Sequence, residues 1–131
     1  MQSRDSGMRF ESMKTEYEKI QPFTTKDGSL VRELMHPRVH GNSQQSLAEA
    51  IIPVGAQTLM HRHHVSEEIY HVSEGAGVMT LGKEQFEIKK GDTVCILPER
   101  LHRVKNTGTV PLRILCCCSP AYSHEDTELV Q

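Results

Sequence analysis

From Gly28 onward the chain never sustains an apolar pattern for longer than one strand before a turn signal interrupts it. The runs are Leu30–Met35, Leu47–Ile52, Thr58–His63, Glu68–Ser73, Val78–Leu81, Gln85–Ile88, Thr93–Leu97, His102–Lys105 and Leu112–Cys118. Between them stand Lys26-Asp27-Gly28, Pro53-Val54-Gly55, Gly75-Ala76-Gly77, Leu81-Gly82-Lys83, Lys89-Lys90-Gly91-Asp92 and Asn106-Thr107-Gly108. Short runs about 8–12 residues apart with glycine-rich turns cannot build helical layers; they build an all-β sandwich or barrel. Helical periodicity is confined to Glu11–Gln21, which suits a short turn or a loose arm. The expected organisation is an arm over 1–27, a single β domain over 28–122 and a tail over 123–131, with both ends frayed.

At 131 residues the chain can bury roughly two-thirds of its unfolded surface, enough for one core. The formal net charge of −2 gives no electrostatic reason to bind nucleic acid or an anionic membrane. No apolar run approaches the roughly 20 residues needed to span a bilayer, and the first residues, MQSRDSGMRFESMKTEYEK, hold no signal-peptide core. The expected location is the cytoplasm. Cys95, Cys116, Cys117 and Cys118 do not form a disulfide framework, because neighbours on one strand point to opposite faces. Buried, reduced thiols are expected.

One stretch, GAQTLMHRHHVSEEIYHVSEG, concentrates titratable groups. In extended backbone, residues two apart share a face about 7 Å apart. His61 and His63 therefore point the same way, with Arg62 opposite. In the following run Glu68, Tyr70 and Val72 share one face and Glu67, Ile69 and His71 the other, and the first of these is assigned to the interior. A buried carboxylate beside two imidazoles requires a compensating charge, which a divalent cation supplies. His102, on the same parity as Val104, is a third imidazole for the same ion. His64 and His71 have the wrong parity, and His36, His40 and His124 fall in loops or the tail.

The stretch resembles the first signature of the cupin superfamily, with Gly55, His61, His63, Glu68 and Gly75 on its fixed positions. GDTVCILPERLHRVKN resembles the second signature at Gly91, His102 and Asn106. It departs at Leu97, where proline is usual, and at Glu99, where glycine is usual; both departures fall in the turn before the histidine strand and spare the ligand positions. The resemblance covers about residues 45–120. It implies a double-stranded β-helix, or jelly-roll barrel. It also implies a single divalent transition metal ion (Fe, Mn, Ni or Zn) at His61, His63, Glu68 and His102.

Further residues are candidates for the pocket wall: Gln57 as an acceptor for a ligand's ring N–H, Tyr70 through its hydroxyl, Arg100 for an anionic substrate, and Cys116 and Cys118 as soft lining. No catalytic residue is singled out. The resemblance implies a small-molecule substrate and a homodimer, formed through a sheet face or an exchanged N-terminal arm. Oxygenase-type chemistry is slightly favoured, because the sequence offers no separate acid/base pair. The alternatives are a sugar or sugar-phosphate isomerase or epimerase, a lyase, and a cupin that binds a small ligand without turnover.

Overall fold

A computed structural model describes residues 13–130. Their strands are β1 (Phe23–Thr24), β2 (Leu30–Met35), β3 (Ser46–Ile52), β4 (His61–His63), β5 (Glu67–Glu74), β6 (Ala76–Leu81), β7 (Glu84–Lys89), β8 (Thr93–Ile96), β9 (His102–Asn106), β10 (Leu112–Ser119) and β11 (Thr127–Leu129). The only α-helical element among the described residues is the four-residue α1 (Pro37–His40). The strands pair antiparallel into a six-stranded sheet, β1-β2-β3-β10-β5-β8, and a five-stranded sheet, β11-β4-β9-β6-β7. This is the all-β architecture expected from the turn-punctuated sequence, in the double-stranded β-helix form that the cupin resemblance implies.

Alternation decides what the sheets enclose. Along β5 the even-numbered residues Glu68, Tyr70 and Val72 are buried, and Glu67, Ile69 and His71 are exposed. Val72, Met79, Ile96, Val104, Leu112 and Ile114 are almost wholly buried and form the core. Each contributes on the order of 2 kcal/mol through removal from water. Gly75 turns the chain between β5 and β6 at φ +92°, where a Cβ would stand 2.9 Å from the Pro111 carbonyl oxygen. Only glycine meets both the dihedral and the space.

The larger sheet's inner face is laid out in cross-strand rows. Ser46, Cys118 and Glu68 are register partners in one row; Glu33, Ala48, Cys116 and Tyr70 form the next; Val31, Ala50, Ile114 and Val72 form the third. Ile114 and Val72 of the third row belong to the core, while Val31 and Ala50 line a pocket together with the first two rows.

The ends differ from the sequence expectation. Residues Thr127–Leu129, assigned to a frayed tail, pair with His63–His61 of β4, and Lys26 fastens the segment by donating to the His124 and Thr127 carbonyls at 3.1 and 2.7 Å. A three-residue edge strand is too short to announce itself by alternation. The arm, expected to be frayed, packs on the barrel from residue 13 onward within the single chain, and its first twelve residues lie outside the described ones. Tyr17 donates to Glu49 and accepts from Arg32 at 2.8 Å, and β1 pairs with β2 of the same chain. The run expected over Thr58–His63 is a strand only over His61–His63. Cys95 is exposed, contrary to the expectation of buried thiols, because it lies on the outward parity of β8.

Candidate metal centre

The smaller sheet brings the histidines together by pairing β4 with β9, which sets His61 opposite His102. His61, His63 and His102 are 3%, 4% and 0% exposed, and one ring nitrogen from each lies within 4.8 Å of the other two. Glu68 enters from the facing sheet. Its Oε1 stands 3.1 Å from His63 Nε2 and 3.7 Å from His102 Nε2. Its other oxygen accepts from the Cys118 thiol at 3.2 Å.

The ring partners fix the tautomers. His61 Nδ1 lies 2.8 Å from the Leu59 carbonyl and His102 Nδ1 lies 2.9 Å from the Arg100 carbonyl, so both nitrogens carry hydrogen. His63 Nδ1 lies 2.9 Å from Thr127 Oγ1, whose hydroxyl donates to the Ser123 carbonyl, so this nitrogen donates too. In the neutral ring the opposite nitrogen, Nε2, then carries a lone pair on all three. His102 Nε2 is buried with no hydrogen-bond partner among the described residues. His63 Nε2 and the Glu68 carboxylate face each other acceptor to acceptor. Such a set is stable only with a proton or a cation between its members, and its donors suit a divalent first-row metal.

For His61 the electrostatics agree, and for Glu68 they favour the charged carboxylate. Burial, helped by the neighbouring His102, lowers His61 to about 4, so its ring is neutral at pH 7. Burial raises Glu68, but His102 and His63 beside it outweigh that and hold it below the usual carboxylate range. Burial pushes the Cys118 and Cys116 thiols up, with the Glu68 charge adding to it, so both stay protonated. Neither is a thiolate.

The pocket in front of these groups encloses about 550 Å³, its open mouth included. The Tyr70, Cys116 and Cys118 side chains line it, as do Asp27, Glu33 and Tyr122. Gln57 does not: it is exposed on the outer edge, bridged to Lys105, while Thr58 turns inward. The irregular backbone before β4 breaks the alternation that would have carried Gln57 inside, and the acceptor role falls to two carbonyls and Thr127. Arg100 also points away. Its exposed guanidinium packs over Gly82 and donates to the Leu81 carbonyl at 3.4 Å.

Two pocket carboxyls escaped the sequence reading. Asp27 looked like turn punctuation. Its Oδ1 accepts from Thr25 Oγ1, Ser29 N and Ser29 Oγ at 2.7–2.9 Å, which leaves Oδ2 3.6 Å from His61 Nε2. Glu33 had a legible signal, since it shares inward parity with Val31 on β2. Burial raises it above the ordinary carboxylate range, against the opposing pull of His36.

A cupin-domain family model matches residues 48–118, which is more than half of the chain. The chain belongs to the cupin family. This cupin is 59% identical over 119 residues to an uncharacterized protein of Methanocaldococcus jannaschii, covering 91% of this chain and 95% of that one. It is 26% identical to the tetracenomycin polyketide synthase protein TcmJ of Streptomyces glaucescens, over 80% of this chain and 74% of the relative. Among solved structures it superposes on a predicted oxalate decarboxylase of Thermotoga maritima with TM-score 0.71 at 22% identity, covering 80% and 96% of the two chains. It also superposes on the nucleoside dehydratase Pac13 with TM-score 0.74 at 18% identity, covering 92% of each. At these identities the solved structures share the fold with this cupin.

The second-signature departure has a visible consequence. Glu99, at the position usually held by glycine, adopts φ 72°. A side chain in that region costs about 1–2 kcal/mol. Its N–H donates to the His63 carbonyl at 2.7 Å, and its carboxylate meets His64 Nδ1 at 3.0 Å. The turn keeps a glycine-type conformation without glycine.

Proposed function

We propose that this cupin is a metal-dependent enzyme acting on a small organic molecule, with His61, His63, Glu68 and His102 as ligands of one divalent ion. The observation that carries it is the acceptor set described above: three nitrogen lone pairs and a carboxylate aimed at one another, with every ring hydrogen committed elsewhere. A bound Fe, Mn, Ni or Zn ion supplies Lewis-acid polarisation and, for the redox-active metals, access to oxygen chemistry. The chain's own contribution is to orient the substrate and to handle protons. Tyr70 presents a hydroxyl that burial keeps protonated, and Glu33 and Asp27 present carboxyls to the same pocket. The absence of an acid/base pair was the ground for favouring oxygenase chemistry, and the two pocket carboxyls remove it. Proton-transfer chemistry, an elimination or isomerisation, becomes the favoured class.

The test is metal analysis of the purified protein, then incubation with small hydroxy and carbonyl compounds in deuterated water beside an oxygen electrode. Deuterium incorporation without oxygen uptake is expected. Oxygen consumption without exchange would return the oxygenase, and tight binding with neither would leave a non-catalytic ligand-binding cupin.

Two accompanying proposals are simpler. A homodimer is supported by the outer face of the larger sheet, where Leu47, Ile69, Leu115 and Cys117 remain partly exposed side by side; a monomer in sedimentation at micromolar concentration would refute it. A cytoplasmic location is supported by the reduced cysteines, and fractionation of the source cells would check it. No helix among the described residues is long and apolar enough to cross a membrane.

A further inference from the structure

The histidine centre stands at one end of the pocket, and Glu33, one of its two further carboxyls, at the other. Glu33 lines the pocket from β2, and its Oε2 is buried without a hydrogen-bond partner among the described residues. Its row neighbours, Ala48 and Cys116, bring an apolar wall and a protonated thiol. A carboxyl held in such surroundings is costly unless a ligand completes it.

The rows also measure the pocket. Glu33 and Glu68 lie in adjacent rows, on β2 and β5, which stand three strand steps apart in the order β2-β3-β10-β5. At about 4.8 Å per step and 7 Å per row, their Cα atoms are roughly 16 Å apart along the sheet. The pocket that both glutamates line encloses about 550 Å³ with its open mouth included, room for an ion and one small molecule of a few carbons.

Charge narrows the class further. Asp27, Glu33 and Glu68 all face the pocket. Of the basic side chains nearest the pocket, Lys26 is committed to the His124 and Thr127 carbonyls, Arg32 to Tyr17 and the Ile20 carbonyl, and Arg113 to Glu49 and Glu74. The His36 ring, the basic group nearest Glu33, accepts from Arg38 N and meets the Tyr122 carbonyl. A phosphorylated or doubly anionic substrate would meet carboxylates at both ends.

We infer that Glu33 is a substrate-binding residue that receives a hydroxyl of a small uncharged polyhydroxy-carbonyl compound whose other end lies at the His61–His63–His102 centre. This rests on the metal-centred reading above, with Glu33 setting the polarity of the far end. The pocket discriminates against phosphate esters of the same compound.

The full chain loaded with cobalt(II) provides the assay, since ligand binding at the ion changes its visible absorption. The probes are D-erythrulose and its 4-phosphate. Erythrulose is expected to bind at least about tenfold tighter than the phosphate. Glu33→Leu is expected to weaken erythrulose at least about tenfold with cobalt affinity unchanged. Glu33→Gln, which keeps the hydrogen bond and loses the charge, is expected to hold erythrulose within about threefold and to narrow the gap to the phosphate. Equal or tighter binding of the phosphate, an unchanged affinity in Glu33→Leu, or no binding of erythrulose overturns the inference. If cobalt itself fails to bind, the metal reading fails separately. Calorimetric titration of the same two probes onto the metal-free wild type and Glu33→Leu then decides the inference by the same criteria.

Discussion

The two ends of the pocket are built on opposite rules. At the histidine end every ring N–H has a fixed acceptor, and only the lone pairs facing inward are left over. At the Glu33 end one buried oxygen, Oε2, has no hydrogen-bond partner among the described residues. Satisfied outer partners hold a ligand set rigid before its ion arrives, whereas an unsatisfied group among apolar neighbours is completed only by what enters. One end is a template and the other is a selector.

The largest effect that would break this contrast is at the template. His102→Ala should weaken metal binding roughly a thousandfold by calorimetry, since each ligand carries several kcal/mol of a structural site's affinity. Glu33→Leu should leave that affinity unchanged. A comparable loss in both variants would mean that the ends are one site.

Next in size is the response to acid. In the metal-stripped protein His61 is lowered to about 4 from an ordinary value of 6.5, so between these the unfolded chain binds a proton that the native state refuses. Stability is therefore full above pH 6.5 and falls as pH drops towards 4, by up to about 3 kcal/mol. Urea midpoints across that range check it. A flat profile would place a proton on the triad already at neutral pH.

A smaller effect distinguishes charge from shape. Glu68→Gln should weaken metal binding about ten- to a hundredfold, as loss of a ligand's charge does. It should also lower the metal-free protein's stability by about 1 kcal/mol, because the amide lacks the charge that His63 and His102 stabilise. Glu67→Gln, on the exposed parity, should change neither. If the two glutamates exchange roles, the register of β5 is shifted by one residue.

The smallest lies outside the pocket. Glu99→Gly should raise stability by no more than about 1 kcal/mol, since relief of the left-handed strain exceeds a surface ion pair. A drop beyond about 1 kcal/mol in thermal or urea unfolding would show that the ion pairs of Glu99 with His64 and, at 3.7 Å, with Arg62 Nε matter more.

What was legible in the sequence followed from strict alternation. His61 and His63 are two apart on one strand, His102 shares parity with Val104, and Glu68 shares parity with Tyr70 and Val72; the pleat alone carries each inward. Prediction broke down where backbone is irregular or a strand is very short. Gln57 precedes β4 in a segment without regular pleat and faces out. Thr127, the acceptor for His63, belongs to a three-residue edge strand with no pattern of its own. Asp27 reaches the site from a turn, where side-chain direction depends on local hydrogen bonds that no periodicity encodes. Glu33 was legible but passed over, because an acid on an inward parity of an apolar strand looks like an exception rather than a signal.

The three ring N–H acceptors differ in kind, and this bears on how the centre can vary by descent. The acceptors of His61 and His102 are main-chain carbonyls of Leu59 and Arg100. Codon changes at those two positions replace a side chain and leave the carbonyl in place. His63 alone leans on a side chain, Thr127. Heritable tuning of the triad's basicity, and with it the choice among metals, is therefore channelled through one position of a peripheral strand. A threonine-to-serine change there is a small step and a threonine-to-aspartate change a large one, and neither needs to disturb the barrel.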